Sequence, residues 1–402
     1  METTTPEGRL DAAVEPAELI ADPYGSYGRL RAAGPVHRVV GTDGRPAWLV
    51  TRYDDVRRAL GDPRLSVDKS NALPGNYRGL ALPPALDANL LNMDPPDHTR
   101  IRRLVAKAFT PRRVEQLREP IRRTADELLD AIAGQGRADL IPDFAAPLPI
   151  TVICDLLGVP PHDRHDFRAW TDALITPDPA RPSAAKEAVG SILGFFTQLI
   201  TDKRAAPAGD LLSALIAVRD DGDGLSEDEL MSLAFLILFA GYENTVHLIG
   251  NAVLALLNNP DQLAALRADP ALTGRAVEEF ARYDGPMPLA VRRFPLQDLT
   301  IGGVTIPAGE TVLLSLAAAH RDPGRFTDPD RLDIGRDSSG HLALGHGIHY
   351  CIGAPLARLE TEIALTALLR RFPGLALAVP ESDLRWRPSI RTRGLIALPV
   401  RY

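Results

Sequence analysis

Apolar residues recur along this chain mostly with the period of a helix. Leu356, Leu359, Ile363, Ala367 and Leu368 follow one another at three- and four-residue steps, with Arg358 and Glu360 read as lying off their face. This spacing predicts one amphipathic helix from about 353 to 371. A longer helix is predicted from Ser226, which forms a capping box with Glu229, to about Asn258. Its apolar residues, among them Leu230, Leu233, Leu236, Ile237, Phe239, Val246, Ile249, Val253 and Leu257, surround most of the cylinder, so it should cross the interior. In its middle a polar island interrupts the pattern. Ala240-Gly241-Tyr242-Glu243-Asn244-Thr245 set a carboxylate and an amide where burial is costly without partners or purpose.

Shorter segments fill in a mainly α-helical chain. Asp22 to Ala33 read as a helix feeding two strands, Val36 to Val40 and Ala47 to Thr51, joined by a turn at Thr42-Asp43-Gly44. After a helix from Tyr53 to Leu60, residues from about 62 to 90 carry Pro74, Gly75, Gly79, Pro83 and Pro84 with little periodicity, which predicts a long loop suited to roofing a pocket. Pro95-Pro96 precede a helix on which His98 and Arg102 share a face. Thr110 caps a helix from Pro111 to about Ala133, and Pro149 to Leu157, ended by Gly158, hold Cys154 among apolar neighbours as a core residue. Asp163 to Leu174 and Ala184 to Lys203 are predicted helices joined through Pro177, Pro179 and Pro182. Strands are expected around Gly302-Gly303. Residues 1–20 read as a polar tail and 21–402 as a single large unit, because no low-complexity linker divides them.

Composition narrows the function. The 402 residues are 45% hydrophobic, enough for a large core, and a net charge of −7 argues against a nucleic-acid partner. Cys154 and Cys351 make no disulfide framework, which fits a reducing cytoplasm. The first residues lack the basic and apolar regions of a signal peptide, and the longest dense apolar run, Leu233 to Ala240, is far short of the ~20 residues that span a bilayer. The expectation is a soluble, cytoplasmic protein with no membrane partner. Asp220-Asp221-Gly222-Asp223-Gly224 lacks the glutamate that ends a calcium loop and reads as a solvated turn.

The chemistry centres on Cys351. A lone thiol is ordinarily a small buried hydrophobe, but this one stands at the start of the 353–371 helix, between Gly345 and Gly347 on one side and Gly353 on the other, with His349 two residues upstream. Unpaired N–H groups and the helix dipole at that position favour thiolate.

Leu344 to Gly353 resembles the haem-binding signature of the cytochrome P450 family, with Gly347, His349, Cys351 and Gly353 matching and Leu344 standing where an aromatic is usual. The resemblance implies haem b with Cys351 as axial iron ligand. It also assigns His98, Arg102, Arg293 and His349 to the propionates, with Arg292 as a substitute for Arg293. Ala240, Gly241, Leu344, Gly345 and Gly353 are implied at the cofactor. Glu279-Phe280-Ala281-Arg282 and Pro329-Asp330-Arg331-Leu332 match a structural Glu-Arg-Arg network. The polar island resembles the family's oxygen-handling segment, with Gly241 and Glu243 matching but Asn244 in the alcohol position. Asn cannot relay a proton as a hydroxyl does, leaving Thr245, an ordered water or a substrate hydroxyl. The latter two are preferred, since a one-residue shift turns a side chain about 100° around a helix.

The activity that the resemblance implies is that of a monooxygenase. It would use O2 and two electrons from a separate ferredoxin or flavodoxin with its reductase to hydroxylate or epoxidise an apolar small molecule, such as a polyketide, terpenoid or steroid. Expected pocket residues are Asn92, Ile237, Ala240, Leu289, Ala290, Val291 and Ile390. A basic docking surface is expected among Arg102, Arg103, Arg112, Arg113 and Arg358. The alternatives are a haem oxidase for phenol coupling, desaturation or peroxide-driven oxidation, and a silent relative that recruits partner proteins.

Overall fold

The computed structural model describes residues 16–41, 43–77, 82–106, 109–164, 169–170, 173–174, 181, 183–220 and 225–402. Its framework is the helix Glu227–Leu257, capped as expected by reciprocal bonds between Ser226 and Glu229. Most of its residues are buried because other helices cover it on several sides, chiefly Pro84–Asp87, Pro147–Leu157, Thr273–Asp284 and Ala354–Arg371. It is helical through the polar island, so Gly241 does not open it. A Cβ there would instead lie 2.7 Å from Ile153 Cδ1, on the crossing with Pro147–Leu157. Among the described residues this one helix is long and apolar enough to cross a membrane, yet 72% of that window is buried inside the protein. Its apolarity therefore serves the core.

The strands are few and short. Val36–Val40 pairs antiparallel with Pro46–Val50, Val36 opposite Val50, and Val312–Leu314 adds a parallel third strand. Arg137–Asp139, Pro399–Arg401 and Ala376–Leu377 make a second sheet near the C-terminus. Leu299–Ile301 and Val304–Ile306 form the expected ribbon, turning on Gly302 and Gly303.

Several expectations shift. Part of the predicted tail, Pro16–Ala21, is helical; residues 1–15 lie outside the described residues, as do Thr42, Gly79, half of the predicted Asp163–Leu174 helix, Pro177, Pro179, Pro182 and residues 221–224. The helix predicted from Pro111 to Ala133 is two, Pro111–Gln116 and Arg118–Ile132. Pro120 has no N–H for the Gln116 carbonyl and its ring crowds that carbonyl, which breaks the ladder there. The long loop is partly ordered: Pro84–Asp87 is helical with Leu86 buried, and buried Asn89 Nδ2 donates to Ser232 Oγ at 3.1 Å, tying the loop to the central helix. Cys154 is buried as expected, and burial pushes its thiol up to about 12.

Candidate active site

Beneath the central helix lies a cavity of about 310 Å³. Its walls come chiefly from four places. The central helix supplies Ile237, Ala240, Gly241, Asn244, Thr245 and Leu248; the segment after Thr273–Asp284 supplies Leu289, Ala290, Val291 and Arg293; the helix Asp97–Ala106 supplies His98 and Arg102; and the floor is Leu344, Gly345, His349, Cys351 and Gly353.

The floor is shaped by backbone. Gly345 and Gly347 take positive φ values of 77° and 72°, and a Cβ on Gly347 would sit 3.1 Å from both Leu60 O and Gly61 Cα, so the loop lies flat against the preceding helix Tyr53–Gly61. The turn closes with Cys351 N donating to Leu344 O at 2.8 Å. Ala354–Arg371 then begins, and the Gly353 and Ala354 N–H groups bond the Cys351 sulfur. Burial raises the thiol pKa; those two N–H groups, Arg102 and Arg358 oppose it. The helix terminus thus works toward thiolate as expected, while crowding by the surrounding protein atoms works toward thiol even though the residue is exposed at the cavity floor.

One side of the cavity is cationic. Of the charged residues among the described lining, two are arginines, Arg102 and Arg293, and none is a carboxylate. Arg293 is buried, and its Nη1 donates to the backbone carbonyls of Val291 at 2.6 Å and Arg292 at 3.4 Å; burial lowers its pKa to about 10. Arg102 donates to Tyr350 O at 2.5 Å. His98 and His349 face each other with ring centroids 4.4 Å apart, and His98 Nε2 is buried without a hydrogen-bond partner. Burial first, then Arg293, His98 and Arg102, push His349 down to about 3, so its ring is neutral at pH 7.

On the central helix both Asn244 and Thr245 line the cavity, contrary to the expectation that Thr245 turns away. Its hydroxyl also bonds Glu360, which is buried on the helix below, and burial holds that carboxyl well above the usual range. Glu360 therefore does not lie on an outer face, contrary to the expectation for its helix. It stands four residues after Leu356 and three before Ile363, but its helix is buried on several faces, so this spacing alone does not mark it as inward. Glu243 is not among the lining residues; its Oε1 is buried and lies 3.6 Å from His247 Nε2.

Two expected pocket residues stand outside the lining. Asn92 is held by Asp87 and accepts from Arg292 Nη2 at 2.7 Å, while Arg292 is stacked near Tyr77 at 5.3 Å. Ile390 packs on the small core of Tyr27, Leu30 and Leu289, because the C-terminal turn pairs only at Trp386 and Leu395. In the charge network, Glu279 and Arg282 are 0% exposed and doubly bonded at 2.7 Å, but the third arginine is Arg336, whose Nε donates to Glu279 at 3.2 Å. Arg331 is 68% exposed on Asp333 and lends only its carbonyl, because Leu332 takes the inward position beside it. Of the five expected docking arginines, Arg103, Arg112 and Arg113 are exposed. Arg358 is committed to Glu278, at 2.5 and 2.9 Å, and Arg102 turns into the cavity.

Comparison with known proteins places this geometry. The family model described as Cytochrome P450 matches residues 166–381. The chain is 51% identical to the cytochrome P450 monooxygenase PikC of Streptomyces venezuelae, over 100% of this chain and 96% of the relative. It is 44% identical to 6-deoxyerythronolide B hydroxylase of Saccharopolyspora erythraea, over 99% of each. Among solved structures, the tirandamycin C-bound P450 monooxygenase TamI superposes with a TM-score of 0.90 at 46% identity, covering 96% of this chain and 99% of that one.

Proposed function

Because this chain belongs to the cytochrome P450 family of haem-thiolate monooxygenases, we propose that Cys351 is its axial iron ligand and that it hydroxylates or epoxidises a polyketide-type secondary metabolite such as a macrolactone. The observation that carries this reading is the cavity wall. A thiol bonded by the first N–H groups of a helix opens onto a space lined by two arginines, three histidines and no carboxylate, with mostly apolar side chains elsewhere.

Haem suits this donor set. His98 carries an unpartnered buried nitrogen and Arg293 is held by the carbonyls of the two residues before it, so two propionates would supply an acceptor for the one and an anion for the other. When bound, haem supplies the activation of O2 by two electrons. Arg102 and Arg293 orient it, with His98 and His349 as neutral donors, and the N–H groups of Gly353 and Ala354 stabilise the sulfur's negative charge. Glu243, Asn244 and Thr245 on the central helix would manage protons, Thr245 with Glu360 behind it.

Leu289, Ala290, Val291, Ile237 and Leu248 give the substrate region an apolar wall, which recognises bulk and shape more than charge. The polyketide class is supported by the hydroxylase relative named for 6-deoxyerythronolide B and the structural neighbour bound to tirandamycin C. Electrons come from a redox partner, for which we propose a ferredoxin or flavodoxin meeting exposed Arg103, Arg112 and Arg113.

The test is spectroscopic. Reduced holoenzyme with carbon monoxide should show the red-shifted thiolate band, and Cys351→Ser should abolish it; a wild type without that band refutes the ligand assignment. Macrolactones should shift the haem spin state and give a product heavier by one oxygen. A compound set in which only steroids or terpenoids do so would overturn the substrate class.

A further inference from the structure

His247 is a buried titratable side chain with no part in the site as described. It stands one turn beyond Glu243 on the central helix, is 1% exposed, and neither ring nitrogen has a hydrogen-bond partner within the protein. Nε2 lies 3.6 Å from Glu243 Oε1, which is buried and equally unpartnered. The opposite edge rests on the C-terminal segment, where a Cβ on Gly394 would fall 2.0 Å from Nδ1. Only glycine leaves room for the ring. One turn further, Asn251 Nδ2 donates to the Asp284 and Arg393 carbonyls at 2.9 and 3.0 Å, and Arg393 Nε donates to Asp284 Oδ1 at 3.2 Å.

Two unpaired polar groups inside an apolar helix are each costly, and together they can satisfy one another. A leucine at 247 would avoid the cost altogether. An imidazole offers a donor that aims a carboxylate and a proton that it can pass on. The charged groups around this stretch are Glu243 on the same helix, and Arg393 and Asp284 on the segments packed against it.

We propose that His247 is a positioning residue that acts through Glu243, fixing the carboxyl's orientation and restoring its proton. A small side-chain rotation closes the pair to hydrogen-bond distance. When Glu243 has released a proton toward the cavity, the Nε2–H bond of the imidazolium breaks and an O–H bond forms at Glu243 Oε1. The ring is left neutral, and hydronium from bulk solvent returns its proton and leaves water. This rests on the reading of Glu243 as the acid of the oxygen-handling helix.

The experiment has two arms in holoenzyme. The first uses ¹⁵N-labelled histidine in the reduced carbon monoxide form, with the His247 ring assigned by the loss of its signals in His247→Gln or His247→Asn. Glu243→Gln should move the ring's titration midpoint down, because a neighbouring carboxylate favours imidazolium. An unchanged midpoint overturns the proposal. In the second arm, His247→Gln keeps a donor of similar size but carries no exchangeable charge. It should retain the thiolate carbon monoxide band and the substrate-induced spin shift, yet lower product per reducing equivalent about 10-fold in favour of peroxide and flatten the pH profile of coupling. Coupling and pH profile equal to wild type also overturn it. A wild type lacking the thiolate band would count instead against the functional reading itself, and the two failures are told apart in the first spectrum.

Discussion

Glu360 is a residue on which pH acts directly. Its folded-state pKa is raised by burial, so the folded protein holds a proton that the unfolded chain gives up near the ordinary glutamate value. The stability that this neutral carboxyl allows is complete below that ordinary value and is lost as pH rises toward the raised one. Glu360→Gln fixes the neutral form, so its holoprotein should melt above wild type at pH 7 to 8, by roughly 1 kcal/mol for each pH unit above the ordinary glutamate value until the raised one is reached. The difference should vanish near pH 4. Calorimetry across that range checks it, and equal melting curves at every pH would mean that the carboxyl is ionised in the fold. Glutamine also retains a partner for the Thr245 hydroxyl, so the substitution isolates the charge from the contact.

Among the elements, the charge network separates two arginines that sequence spacing does not. Arg336→Ala removes a cation from fully buried Glu279 and should cost about 3 kcal/mol or prevent haem loading, whereas Arg331→Ala should stay within about 0.5 kcal/mol. Denaturant unfolding of both variants decides the assignment, and a costly Arg331→Ala would return the third place in the network to Arg331. The contrast shows where the sequence is readable. Helix existence and type follow from apolar period and caps, as with Ser226 and Glu229, because those signals are local. Cys351, its glycines and the cationic residues are legible because the chemistry dictates residue types at fixed spacing. Arg331 is not, because an irregular turn chooses which of two neighbours points inward, and Leu332 takes that place. Glu360 is hard to place because Ala354–Arg371 is buried on several faces, so an inner and an outer side are poorly separated in its pattern. The break before Pro120 is local again, since it needs only the missing N–H and the ring of one residue.

At the scale of the molecule, the cavity lies where the longest helix, the cysteine loop and the segment after Thr273–Asp284 converge, so residues more than two hundred positions apart share one wall. Such convergence is invisible to periodicity, and His247 against Gly394 is its clearest instance. The roof depends on a thinner connection. Leu90 and Leu91 line the cavity from the same loop that carries Asn92, and Asn92 is joined to the opposite wall through Arg292. A hydrogen bond from a cation to a neutral amide is weaker than one to a carboxylate, strong enough to hold a door and weak enough to let it swing. The kinetic consequence falls on dwell time. In Arg292→Met, stopped-flow association and dissociation rates of a cavity ligand should rise together while its equilibrium constant stays within about twofold. Unaltered rates would mean that ligands pass elsewhere. Placed beside a wall of Leu289, Ala290 and Val291 that grips by shape alone, this contact leaves the choice of substrate to the wall and the length of its stay to how firmly the roof is held.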